Sequence, residues 1–201
     1  LFFLFVSAEV SLGGWIATNA SGMKKNRYGN IEQIVENITM ITPEGTLEQI
    51  QPMPRASMGM QPQNLLFGNE GNLGLITKAV IKIYPIPEVK KYGSLIFPNF
   101  ELGVAFLHRL ARTGYVPASI RLVDNVQFRF GQALKPTSTG LMAWMDKIKK
   151  FYVIKVRGFD PHKMVAATIV MEGSAKEVAY QEANIYNLAK QRKGLAAGSE
   201  N

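Results

Sequence analysis

The chain has no cysteine, two histidines and two tryptophans in 201 residues, and its acidic side chains are outnumbered by basic ones, 15 to 23. Without cysteine there is no disulfide framework, no thiolate metal site and no cysteine nucleophile. His108 and His162 lie far apart in the sequence, which leaves no metal cluster and no nucleophile–histidine–acid arrangement. His108 falls off the apolar stripe of its helix and His162 sits in a turn-like Asp-Pro-His, so both are expected to be solvated. Long apolar runs are absent as well. Leu1–Val6 is too short to span a bilayer and has no basic n-region, so it does not read as a signal peptide. Asn19-Ala20-Ser21 and Asn37-Ile38-Thr39 match the glycosylation sequon, but nothing else in the chain points to secretion. Internal repeats and low-complexity tracts are lacking too.

With 47% hydrophobic and 19% charged residues, the chain has enough apolar material for a core, and its length fits one or two domains. The net charge of +8 is compatible with a membrane surface, nucleic acid or phosphorylated substrates. Solvated lysine faces account for it most simply, with Lys147, Lys149 and Lys150 on one of them. No aromatic–basic interleaving accompanies these lysines, so nucleic acid is not an expected partner.

Against that background two glycine arrays stand out. Ser11-Leu12-Gly13-Gly14-Trp15-Ile16-Ala17-Thr18-Asn19-Ala20-Ser21-Gly22 joins a double glycine to a run of small and amide residues. Glycine lets a backbone come close to a ligand, and it tolerates positive φ. A tight turn entering a buried helix or strand would use the same order. Gly68-Asn69-Glu70-Gly71-Asn72-Leu73-Gly74 then runs into Leu75–Tyr84, an alternating strand with Leu75, Ala79, Ile81 and Ile83 on one side and Lys78 and Lys82 on the other. Here a strand follows the glycines, unlike the strand-first dinucleotide fingerprint.

Further elements follow from pattern. Ile38–Thr42 and Thr46–Ile50 form a hairpin about Pro43-Glu44-Gly45, Gln51–Gln63 is a loop, and Pro85-Ile86-Pro87 marks a domain boundary. Beyond it the chain predicts a strand at Tyr92–Phe97, a helix over Glu101–Thr113 with Phe106, Leu107, Leu110 and Ala111 on one stripe, and a strand near Ala118–Leu122. A helical stretch around Gly140–Phe151, a strand at Val165–Met171 and a helix over Ala175–Lys193 complete the pattern. Ser174 and Glu177 have capping-box spacing at the start of that last helix, and Gly194 follows its basic end. The order gives an α+β protein, with a sheet covered by helices on one face. Arg121, flanked by apolar Ile120 and Leu122, is the candidate chemical residue, because a guanidinium held among apolar neighbours needs an anionic or carbonyl partner. That partner is an anionic or carbonyl group of a ligand, or nearby Asp124; the last would make the arginine structural.

Gly13–Asn26, Gly68–Gly74 and Pro117-Ala118-Ser119-Ile120-Arg121-Leu122-Val123-Asp124-Asn125 resemble, in order and spacing, the alkyldihydroxyacetonephosphate synthase family. So do Lys91–Ser94, Phe97–Glu101, Lys150–Tyr152 and Gly158–Pro161. These flavoproteins have the vanillyl-alcohol-oxidase (PCMH)-type FAD-binding fold. The resemblance implies that residues 1–87 are the C-terminal part of an FAD-binding domain and 88–201 the N-terminal part of an α/β substrate or cap domain. Residues 1–10 do not match the family's pattern. It implies FAD as cofactor, with Ser11, Gly13, Gly14, Thr18, Asn19, Ala20, Ser21, Gly68, Asn69, Glu70, Gly71, Asn72, Leu73 and Gly74 as the residues that hold it. Arg121 becomes the catalytic residue.

The implied reaction replaces the acyl chain of acyl-dihydroxyacetone phosphate by a long-chain fatty alcohol, giving an ether bond and a free fatty acid. The flavin traps the substrate covalently at N5, with no net redox change. A peroxisomal location, peripheral membrane association and a homodimer come with the resemblance. Asn69 and Asn72 stand where the family usually has Ser and Thr. The family's upstream pyrophosphate loop and its downstream histidines, tyrosine and phosphate-binding arginine have no counterpart here, so the chain is expected to be a fragment, inactive alone and at most a weak binder of FAD. The alternatives are a flavin oxidase or dehydrogenase of the same fold, of the D-lactate or glycolate type, and a non-catalytic lipid-binding remnant.

Overall fold

The computed structural model describes residues 11–48, 61–134 and 151–197. The opening residues 1–10, most of the 51–63 loop, and the expected helical stretch from 140 with its lysines lie outside the described residues. The chain divides into two compact units, one ending at Ile86 and one beginning at Pro87.

In the first unit, short helices α1 (Leu12–Ala17), α2 (Lys25–Tyr28) and α3 (Ile31–Ile34) precede strands β1 (Val35–Thr42), β2 (Gly45–Leu47) and β3 (Leu75–Ile81). The strands form an antiparallel sheet ordered β2-β1-β3. Ile16, Ile31, Val35, Ile38, Met40 and Leu66 make its core, with Ile76 and Ala79 packed against them. Ile16 and Met40 are completely buried, and a fully buried side chain of this size contributes roughly 1.5–3 kcal/mol. The β1–β2 turn is tight, pairing Thr42 with Gly45.

The alternation read for β3 is corrected. Its core-facing residues are Ile76 and Ala79, whereas Leu75 is 69% and Ile83 is 87% exposed. The pairing steps from Thr39–Lys78 to Met40–Ile76, leaving Thr77 as an extra residue. A bulge of this kind exchanges the faces of the residues on either side of it, so strict period-2 reading fails across it. At the strand's end the ammonium of Lys82 meets the Glu36 carboxylate at 2.8 Å, and this contact raises the lysine's pKa.

In the second unit the described elements include β4 (Val89–Phe97), α4 (Phe100–Ala111), β5 (Ser119–Val123), α5 (Asn125–Ala133), a π-helical turn (Tyr152–Val156), β6 (Val165–Gly173), α6 (Ala175–Gln191) and β7 (Leu195–Ala196). A four-stranded antiparallel sheet runs β5-β6-β4-β7. Leu95 and Phe97 of β4 and Val165, Ala167, Ile169 and Met171 of β6 point to one face. There Phe106 and Leu110 of α4 and Val178, Ile185 and Ala189 of α6 cover them. The period-2 strands and the period-3.6 helices thus bury one face each against the other.

Helices α4, α5 and α6 each start on a side-chain cap: Asn99 accepts from the amide of Leu102 at 2.9 Å, Asp124 from Gln127 at 2.7 Å and Ser174 from Glu177 at 3.3 Å. Helix α5 is not foreshadowed by the sequence pattern. At the end of α6 the left-handed residue is Lys193, at φ 60°, and not the glycine after it. Gly194 is required for space: a Cβ there would lie 2.7 Å from the Phe97 ring and 2.9 Å from the Ala189 carbonyl oxygen. On the same helix, burial pushes the Tyr186 hydroxyl to a higher pKa, with the Glu182 carboxylate adding to it.

Candidate functional site

The first glycine array folds into the start and end of α1. The Ser11 hydroxyl accepts from the Gly14 amide at 3.1 Å and caps the helix. Gly13 lies against β3, where a Cβ would touch the Ile76 carbonyl oxygen at 3.4 Å. At the other end Thr18 Oγ1 donates to the Gly14 carbonyl at 2.9 Å, and the Ala20 amide donates to Trp15 at 2.9 Å. Asn19 takes a left-handed φ of 49°, which asparagine tolerates better than most residues. Ser21 donates through its hydroxyl to Asn30 Oδ1 at 3.0 Å.

The second array docks onto this end of the helix. The Gly68 amide donates to the Ile16 carbonyl at 3.2 Å and the Glu70 amide to the Ala17 carbonyl at 2.9 Å. A helix terminus leaves its last carbonyls without intrahelical partners, and here a distant loop supplies two of them. Within that loop Gly68, Glu70 and Gly71 all have positive φ, 72°, 48° and 83°. The buried Asn69 holds the turn together: its amide donates to the Leu66 carbonyl, and its Oδ1 accepts from the Gly71 amide at 2.8 Å. The Asn72 amide returns to the Asn69 carbonyl at 2.9 Å. Leu73 is exposed, and Gly74 lies directly on the Ile41 carbonyl of β1, where a side chain would not fit.

The two arrays therefore form one surface. Several of its candidate residues are used internally: Ser11, Gly13, Gly14, Thr18, Asn69 and Gly74 shape the cradle. Of the others, Asn19, Ser21, Gly68, Glu70, Gly71, Asn72 and Leu73 are exposed. Gly71 has open space where a Cβ would be. An open, side-chain-free backbone flanked by amide side chains fits a flat polar ring system, which combines apolar faces with donors and acceptors at its edge. It does not fit a diphosphate. The amides of Gly68, Glu70, Gly71 and Asn72 all donate to protein acceptors, so this turn is no anion-binding nest.

Arg121 belongs to the second unit and is exposed. The expected burial among apolar neighbours is thus corrected: Ile120 and Leu122 pack on the core, and Arg121 projects from the opposite side of the strand. Asp124 is engaged as the cap of α5. Opposite Arg121 in the sheet stands Thr168, and opposite Thr168 stands Ser94. This row was not foreseen, although the alternation of Val165–Met171 already sets Thr168 apart from its core-facing neighbours. His108 and His162 are exposed as expected, and His162 lies 3.4 Å from an Arg129 nitrogen. Among the described residues no group of His, Cys, Asp and Glu is arranged to hold a metal, and no helix is long and apolar enough to cross a membrane.

Two family patterns match the chain: the FAD binding domain over residues 5–51, and the C-terminal domain of FAD linked oxidases over residues 86–200. The alkyldihydroxyacetonephosphate synthase of Caenorhabditis elegans is 44% identical over 95% of this chain and 32% of its own length. The mitochondrial D-lactate dehydrogenase [cytochrome] 1 of Saccharomyces cerevisiae is 28% identical over 75% of this chain and 25% of its own. A solved structure of alkyldihydroxyacetonephosphate synthase superposes with a TM-score of 0.80 at 30% identity, covering 94% of this chain and 34% of that one. p-Cresol methylhydroxylase shares the fold alone, with a TM-score of 0.63 at 16% identity. The chain spans about a third of the length of the synthases it matches.

Proposed function

This chain belongs to the FAD-linked oxidases, and on that premise we propose that it is part of an enzyme that forms the ether bond of ether lipids. The reaction takes acyl-dihydroxyacetone phosphate and a long-chain alcohol. The alkoxy group replaces the acyloxy group, and the alcohol's proton leaves with the free fatty acid, so atoms balance without net oxidation or reduction. Bound FAD supplies an electrophilic and redox-active ring system, the part of the chemistry that protein side chains cannot provide.

The chain's own residues have separate tasks. Gly68 and Gly71 let the backbone reach the ring closely, and the exposed amides of Asn19 and Asn72 meet its polar edge. Ser11, Thr18 and Asn69 keep that surface in shape through their hydrogen bonds to backbone. Arg121 offers the reaction centre a fixed positive charge with planar donors, suited to developing negative charge on an oxygen. The observation that carries this reading is the joining of the two glycine arrays through Gly68 and Glu70 onto α1, in a chain whose likeness to the synthases runs through both units. On the same reading the complete enzyme is a peroxisomal homodimer associated with the membrane that holds its lipid substrates. The present chain alone turns over no substrate.

The likeness to D-lactate dehydrogenases supports a second reading, oxidation of a 2-hydroxy acid. The flavin absorbance of the complete protein separates the two. Lasting two-electron reduction on adding D-lactate supports the dehydrogenase, and oxidised flavin with turnover of acyl-dihydroxyacetone phosphate supports the synthase.

A further inference from the structure

Between the C-terminal halves of α4 and α6 lies an open cleft of about 190 Å³. Leu110 and Leu188 give it an apolar lining, and around them stand Arg109, Tyr115, Asn184, Asn187 and Gln191. Thr113 also lines it, with its hydroxyl committed to the Leu110 carbonyl at 2.7 Å. Among the described residues neither lysine nor any carboxylate lines the cleft. Among them, too, no hydrogen bond or ion pair engages the side chains of Arg109, Asn187 and Gln191, and all three residues are exposed. Asn184 donates to the Tyr180 carbonyl at 2.8 Å and keeps its Oδ1 as an acceptor. The Tyr180 hydroxyl donates to that of Tyr115 at 3.2 Å, with the two rings edge to face at 5.2 Å. The Tyr115 proton is thereby left for a third group.

Asn184, Asn187 and Gln191 recur at i, i+3 and i+7, which sets their amides along one face of α6. They extend over about 10 Å, the length of about three residues of extended chain. A side-chain amide both donates and accepts, so it can pair with a peptide group in either sense. Arg109 adds a planar fork that takes a carboxylate through two parallel bonds. The surrounding sequence is basic: residues 102–123 and 183–199 contain no aspartate or glutamate, and they carry Arg109, Arg112, Lys190, Arg192 and Lys193. Both helices end here, and the negative end of each dipole disfavours a compact dianion such as phosphate. Tyrosine and arginine without lysine or carboxylate is the make-up of a recognition surface. We propose that this cleft binds an extended peptide segment of a partner protein through its backbone amides, with an acidic side chain of that segment paired to Arg109. The site is independent of the ether-forming assignment.

The test uses the complete, FAD-loaded protein and an end-blocked, fluorescein-labelled hexapeptide, Ala-Glu-Ala-Glu-Ala-Glu, followed by fluorescence polarisation. Saturable binding with a Kd below about 1 mM is expected. Arg109→Ala is expected to weaken it at least about tenfold and Asn187→Ala at least about threefold. The same peptide with glutamine in place of glutamate is expected to bind at least about tenfold more weakly, because the charge-assisted pair is lost. FAD content is expected to be unchanged in both variants, which checks that they fold. Should Arg109→Ala fail to fold, Arg109→Lys reads the same contact: it keeps the charge, loses the fork, and is expected to bind the peptide more weakly. Absent binding, equal affinity for the glutamate and glutamine peptides, or unchanged affinity in the Arg109 and Asn187 variants would each overturn the proposal. A loss in Arg112→Ala as large as in Arg109→Ala would reduce the binding to general attraction by a basic surface, and overturn it as well. Phosphatidic acid vesicles that bind the unaltered protein and not Arg109→Ala, with no peptide binding, would assign the cleft to a lipid surface instead.

Discussion

The amide of Glu70 donates to the carbonyl of Ala17 at 2.9 Å, tying a glycine-rich turn to the end of a six-residue helix. An isolated helix that short is not stable in water. Its persistence here depends on the core beneath Ile16 and on bonds such as this one. The cradle is therefore a tertiary object, and its parts are expected to fail together.

Asn69 is the residue on which that expectation is sharpest. It is buried, and its side chain joins the Leu66 carbonyl to the Gly71 amide. Replacement by alanine leaves both groups without their partner, at a cost of about 1–3 kcal/mol. A lower denaturation midpoint in urea for Asn69→Ala checks this, and an unchanged midpoint would mean that the turn holds itself.

Lys193 and Gly194 are expected to respond in opposite directions. Lys193 carries a left-handed φ of 60°, so Lys193→Gly removes backbone strain, worth up to about 1 kcal/mol of stability. Gly194→Ala drives a methyl into the Phe97 ring and the Ala189 carbonyl, and overpacking of this kind costs typically about 1–3 kcal/mol. Thermal unfolding midpoints of the two variants read both effects.

The half-buried Tyr186 hydroxyl is held above its ordinary pKa of 10.0 by burial and by the Glu182 carboxylate. In the folded chain the neutral phenol is thus favoured relative to the unfolded chain. This contribution to stability is complete below pH 10 and is lost as the pH rises through the higher folded value. Ultraviolet titration of the tyrosines is expected to show late ionisation of Tyr186 and of Tyr115, which is bonded to Tyr180, and only the Tyr186 contribution disappears in Tyr186→Phe.

Much of the second unit was legible in the sequence, because β4, α4, β6 and α6 each bury one clean face and periodicity reports burial. Helix α5 escaped for the same reason. Its apolar residues Val126 and Phe130 are 77% and 66% exposed, so no core-facing stripe marks it, and only the Asp124 cap announces it. The face of β3 was misread because Thr77 is an extra residue that composition does not betray. Gly194 is visible as a glycine after a helix, but the left-handed turn belongs to Lys193; sequence shows that a glycine is needed and not whether φ or space requires it. The first array carried the right residues, yet Thr18 and Ser11 serve the helix backbone, a distinction that depends on hydrogen bonds sequence does not display.

The most direct test of the ether-forming assignment follows a carbon-labelled long-chain alcohol in the complete, FAD-loaded protein, with mass spectrometry of the products. The account predicts labelled alkyl-dihydroxyacetone phosphate and an equal amount of free fatty acid from acyl-dihydroxyacetone phosphate, and the loss of both in Arg121→Ala. Fatty acid released without label entering the phosphate-bearing product would contradict it.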